Sequence, residues 1–138
     1  MNDFSHTSQS VLIIEDHVLF REGLVSLINS TTDFHVVAQT GVVGEGVEMA
    51  LRFRPDVILV DFSLHAGTGS DITQAIRDKH PESKIILLAT RESKEILMEV
   101  IRLRGRGYLL KNVSSSSLLA DLRVLARAEF AVPSNVRA

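Results

Sequence analysis

Short apolar runs alternate with amphipathic stretches along this chain. Val11-Leu12-Ile13-Ile14, Val57-Ile58-Leu59-Val60 and Ile85-Ile86-Leu87-Leu88 are continuous runs of branched residues. Such runs predict strands buried on both faces, as in the middle of a parallel sheet. His35–Ala38 and Tyr108–Leu110 predict two weaker strands. Between the runs, apolar residues recur at helical spacing. Phe20, Leu24, Leu27 and Ile28 form one stripe, and Val47, Ala50 and Leu51 mark a short helix that stops before Pro55. Ile72, Ala75 and Ile76 form a third, and Ile96, Leu97, Val100 and Ile101 a fourth. Leu118, Leu119, Leu122 and Leu125 form the last, with Ser114–Ser117 supplying caps and Pro133 closing it.

Asp16 is the expected N-cap of the first helix. Gly41 to Gly46 reads as a glycine-dotted connection, and Phe62 to Gly69 as a loop. Strand followed by helix, five times over, predicts an α/β fold: a single doubly wound (βα)5 flavodoxin-like domain with right-handed crossovers. The expected division is a flexible tail over 1–9, a domain over 10–131, and a tail or linker start over 132–138.

Composition narrows the function. With 138 residues, 45% of them hydrophobic, the chain can bury one proper core. A net charge of −2 with interspersed signs gives no electrostatic reason to expect nucleic-acid binding. The absence of cysteine excludes disulfides, a thiolate nucleophile and a cysteine zinc site. The polar start lacks a signal-peptide pattern, and no apolar run approaches the roughly 18 residues of a membrane span. A cytoplasmic protein is expected, so the acceptor patterns at Asn29 and Asn112 are discounted as glycosylation sites.

The chemistry gathers at the strand ends. Ligands of doubly wound sheets bind beyond the carboxyl ends of the strands, where strand order reverses. Glu15 and Asp16 follow the first strand, Asp61 ends the third and Lys111 follows the fifth. Each has an ordinary reading: Glu15 and Asp16 as helix cap and first-turn acids, Asp61 as a turn residue, Lys111 as a surface lysine. In a 2-1-3-4-5 order, however, three carboxylates and one ammonium converge. Two like charges at 4 Å repel by about 4 kcal/mol at an effective dielectric near 20. A hard cation such as Mg2+, held by carboxylates, waters and phosphate oxygens, removes that cost. Aspartate can accept a phosphoryl group, and lysine can hold the phosphoryl oxygens as a point charge. His17 and His65 border the site without a partner at ligand spacing. No Gly-x-x-x-x-Gly-Lys pattern occurs, which argues against a nucleotide-hydrolysing fold.

These residues resemble the receiver domain of two-component response regulators over Ser10 to Ala131. The opening run from Val11 through Glu15-Asp16-His17 to Leu24 looks most like the LuxR-type (NarL/FixJ-like) subfamily, whose receivers precede a helix-turn-helix DNA-binding domain. The resemblance implies that Asp61 is the phosphoacceptor, fed by a histidine kinase, and that Lys111 contacts the phosphoryl group. It implies Mg2+ held by Glu15, Asp16, Asp61 and the backbone carbonyl of Ser63. It also implies hydrolysis of the domain's own aspartyl phosphate, a LuxR-type output domain absent from this chain, and no direct nucleic-acid binding by this domain. By family analogy the first and last helices are the expected homodimer face.

Two departures stand out. Leu64-His65 replaces the usual Met-Pro. Ala89 stands where the family has the Ser or Thr of its switch, with Thr90 one residue late and Tyr108 at the switch aromatic. A one-residue slip on a strand turns the side chain to the other face, so Thr90 substitutes only through a bulge. These departures leave a second reading open, a constitutive interaction or dimerisation module with weakened coupling. A third, a flavodoxin-like small-molecule binder, is opposed by the scarcity of aromatics: six Phe, one Tyr and no Trp.

Overall fold

The computed structural model describes residues 8–67 and 72–127. Five strands form one parallel sheet in the order β2-β1-β3-β4-β5. They are β1 (Gln9–Ile14), β2 (Phe34–Thr40), β3 (Val57–Asp61), β4 (Lys84–Ala89) and β5 (Gly107–Leu110). The helices are α1 (Val18–Asn29), α2 (Val43–Phe53), α3 (Phe62–Gly67), α4 (Ile72–Lys79), α5 (Lys94–Leu103) and α6 (Ser115–Leu125). The expected strand order therefore holds, and all five expected helices are present. The ends placed at 131 and 132–138, and the stop at Pro133, lie outside the described residues.

The apolar runs are buried on both faces because alternate residues serve opposite layers. Val11, Ile13, Val57, Leu59, Ile86 and Leu88 pack with Leu24 and Ile28 of α1 and Leu118 and Leu122 of α6. Leu12, Ile14, Ile58, Val60, Ile85 and Leu87 pack with Ala50 of α2, Ile76 of α4 and Ile96 of α5. Val57 to Val60 are wholly inaccessible, which makes β3 the axis of both cores.

Four elements depart from expectation. Phe62–Gly67 is helical rather than a loop. Asp61 explains it, because its Oδ2 accepts from the backbone N of Leu64 at 2.9 Å, as a helix N-cap does. Helix α2 starts at Val43, so Gly44 and Gly46 are helical. Gly46 is needed there, since a Cβ would lie 2.5 Å from Ile14 Cδ1. His17, not Asp16, is the N-cap of α1, and no side chain caps it. The His17 backbone N donates instead to Glu15 Oε2 at 3.0 Å. Finally, Gln9 opens β1 rather than closing the tail, its N donating to Asp33 O at 2.9 Å.

The far end of the sheet grips α6. Lys84 Nζ donates to Ala126 O at 2.9 Å and to Gln9 Oε1 at 2.8 Å. Gln9 Nε2 donates to the same Ala126 O at 3.1 Å, and Arg106 Nη1 donates to Arg127 O at 2.6 Å. Cations on terminal helix carbonyls complement the negative end of the helix dipole.

Candidate functional site

The parallel register brings β1, β3, β4 and β5 to one edge, and the titratable residues meet there. Glu15 and Asp61 are buried, and Asp16 is exposed. Oxygen atoms of Glu15, Asp16 and Asp61 all lie within 4.8 Å of one another. Lys111 Nζ stands 2.7 Å from Glu15 Oε1 and 2.6 Å from Asp61 Oδ1. It also lies 5.1 Å from the centroid of the Phe20 ring, a cation–π contact that steadies the side chain. The four residues expected to converge do converge.

The two oxygens of Asp61 have different surroundings. Oδ1 faces Lys111. Oδ2 accepts from Ser63 Oγ at 2.7 Å and from Leu64 N at 2.9 Å. Burial pushes the Asp61 carboxyl up, but hydrogen bonds from Lys111, Ser63 and Leu64 together with the lysine charge outweigh it and hold it below its ordinary value. Burial likewise pushes Lys111 down, and its bonds to Asp61 and Glu15 outweigh that and raise it. Both partners are therefore charged at neutral pH.

The expectation for Ser63 concerns only its backbone carbonyl. Its hydroxyl bond to Asp61 is an addition, although a serine two residues after a helix-capping aspartate is a legible signal for such a bond. The His65 side chain lies outside what the structure describes.

Ala89 closes β4 and is buried, paired with Leu110. The β3–β4 and β4–β5 registers run without a shift, so no bulge turns Thr90 inward. Thr90 is exposed just past the strand. Ala89 lines a cleft of about 180 Å³ with Phe62, Ser63, Thr90, Arg91 and Ser93. Tyr108 is buried, and its hydroxyl donates to Glu92 Oε1 at 3.3 Å. Burial first, and then the Glu92 charge and hydrogen bond, raise the tyrosine pKa.

The donors at the site are all oxygens, in a cluster compensated by a single ammonium. That set fits a hard divalent cation and does not fit a soft one. Among the described residues no helix is long and apolar enough to cross a membrane.

Comparison with known proteins agrees with this geometry. The family model for the response regulator receiver domain matches residues 11–123. The oxygen regulatory protein NreC of Staphylococcus aureus is 33% identical over 120 residues. The match covers 86% of this chain and 55% of NreC, so the chain spans about half the length of this curated relative. Among solved structures, the receiver domain of AraT, a response regulator from Geobacillus stearothermophilus, is 29% identical with a TM-score of 0.73. That match covers 87% of this chain and 94% of AraT's. A LuxR-family two-component response regulator from Aurantimonas sp. superposes with a TM-score of 0.81 at 20% identity, over 94% of this chain and 93% of its own, a likeness of fold. With an acidic triad and a lysine at the edge of a 2-1-3-4-5 sheet, and a family match over most of its length, the chain belongs to the response regulator receiver domains.

Proposed function

We propose that this receiver takes a phosphoryl group from the phosphohistidine of a histidine kinase onto Asp61. One carboxylate oxygen attacks phosphorus; the new O–P bond forms as the N–P bond breaks. The departing imidazole nitrogen keeps the electron pair and takes up a proton. Lys111 holds a phosphoryl oxygen as a point charge. Glu15, Asp16, Asp61 and the Ser63 carbonyl would hold Mg2+, which supplies charge neutralisation when bound. The observation that carries this reading is the single ammonium of Lys111 between two buried carboxylates.

A switched surface over β5 and the neighbouring helices would pass the state to a LuxR-type DNA-binding domain, and the relatives' greater length supports that arrangement. Self-association through α1 and α6 belongs to the same proposal, supported by Leu19, 78% exposed on α1. So does a cytoplasmic location, beside the catalytic domains of such kinases.

With acetyl phosphate and MgCl2, intact mass should show one added phosphoryl group, absent in Asp61→Asn. Equal labelling of the variant, or no labelling of either, sinks the proposal. Ala89 favours a second reading, a constitutive interaction module that binds without switching, because it offers no hydroxyl to the cleft it lines. A beryllofluoride response that never leaves the pocket supports that alternative.

A further inference from the structure

The Glu15–Asp16 turn is held from behind by a residue outside the acidic cluster. Arg21, one turn into α1, donates from Nη1 to the backbone O of Glu15 at 2.6 Å and from Nε to Gln39 Oε1 at 3.1 Å. The residue is half-buried, and among the described residues no carboxylate oxygen lies within ion-pair distance of its guanidinium. Its guanidinium thus bonds to a main-chain carbonyl and a side-chain amide rather than to a carboxylate.

Gly41, just past β2, completes the contact. A Cβ there would lie 2.8 Å from Arg21 Nη1, 3.2 Å from the Asp16 Cα and 3.4 Å from Glu15 O. The β2–α2 turn therefore packs against the acidic turn and Arg21 at a distance that a side chain at residue 41 would crowd. Glu15 N also donates to Thr40 O at 2.9 Å, and His17 N to Glu15 Oε2 at 3.0 Å. The backbone on both sides of Asp16 is thus fixed, while no hydrogen bond or ion pair of its exposed carboxylate is seen among the described residues. The direction in which Asp16 offers its oxygens is set by the backbone, and the backbone is set by Arg21 and Gly41.

We propose that Arg21 is a positioning residue for the cation site, acting through the Glu15 carbonyl, with Gly41 as the space it needs. This rests on the reading of the acidic triad as the Mg2+ site. Outer partners that orient ligands typically change metal affinity by about 10–100-fold when removed. A single backbone bond belongs at the low end of that range.

The test is an NMR titration with MgCl2, following the amides of Glu15, Asp16 and Asp61, together with urea unfolding of each variant. Arg21→Ala should raise the Mg2+ dissociation constant about tenfold, and Arg21→Lys, which can still reach one acceptor, should recover part of that loss. Gly41→Ala, which crowds Nη1, should weaken Mg2+ binding in the same direction, and the double variant should lose less than the sum of the two. Unchanged Mg2+ affinity in Arg21→Ala beside a lowered urea midpoint would make the residue merely structural and overturn the inference. A wild-type protein that binds no Mg2+, or binds it equally well as Asp16→Asn, would instead overturn the underlying reading of the triad.

Discussion

Lys111 Nζ lies 2.6 Å from Asp61 Oδ1, reaching across the end of β4 to join the strands on either side of it. The same nitrogen serves Glu15, so its removal leaves two buried carboxylates facing each other. Breaking a buried pair from one side costs about 3–5 kcal/mol. Lys111→Met should therefore lower unfolding free energy at neutral pH by about 3 kcal/mol. Adding MgCl2 should restore more stability to this variant than to the wild type, since the cation replaces the lost charge. Urea unfolding with and without MgCl2 checks both.

The pair also fixes a pH profile. The Asp61 pKa is held below its ordinary 3.8, so its contribution is present above that value and is lost as pH falls through the lower, folded-state pKa. The Lys111 pKa is raised above 10.5, so its contribution is present below that value and is lost as pH rises through the higher, folded-state pKa. Between these limits the pair adds a flat term. Urea midpoints measured across pH should show Asp61→Asn with a shallower acid limb than the wild type.

Ala89 is the position at which a hydroxyl can be put back. In the wild type with beryllofluoride and MgCl2, amide shifts should be largest near residues 15–17, 61–64 and 111 and reach the β5 surface only weakly. In Ala89→Ser they should extend to Tyr108 and α5, because the added hydroxyl faces the cleft shared with Ser63. The buried hydroxyl should cost about 1 kcal/mol without ligand. Identical shift maps in the two proteins would remove Ala89 from the coupling.

Much of this site is legible in the sequence because burial and chemistry fall on adjacent residues. Val57–Val60 can only be an interior strand, so Asp61 has to stand at its end. What escapes is local competition. The sequence offers Asp61 as a turn residue or a chemical centre, and the structure makes the two compatible: the oxygen that caps α3 belongs to the carboxylate that Lys111 holds. Gly46 reads as loop because propensity says nothing about how closely α2 must approach Ile14. Arg21 acts through two hydrogen bonds to neighbouring elements, which leave no periodic signal.

Two glycines should respond in opposite directions. Gly23, within α1, faces open space, with nothing within 4 Å of where a Cβ would sit, so Gly23→Ala should stabilise by about 0.5–1 kcal/mol. Gly46→Ala must displace Ile14 in the core, and overpacking costs of about 1–3 kcal/mol exceed the helical gain. Thermal unfolding of the two variants should bracket the wild type.

The grip on the end of α6 ties the site to the opposite pole of the domain. β1 runs from Gln9 to the turn that carries Glu15, β4 from Lys84 to Ala89, and β5 lies between Arg106 and Lys111. Each strand is thus a rod with a site residue at one tip and an α6 anchor at the other, on the order of 17 Å apart for β4 at the usual rise per residue. A displacement of such a strand along its own axis would reach both tips together. Arg127 stands at that far tip, where Gln9, Lys84 and Arg106 hold the end of α6 by side-chain hydrogen bonds.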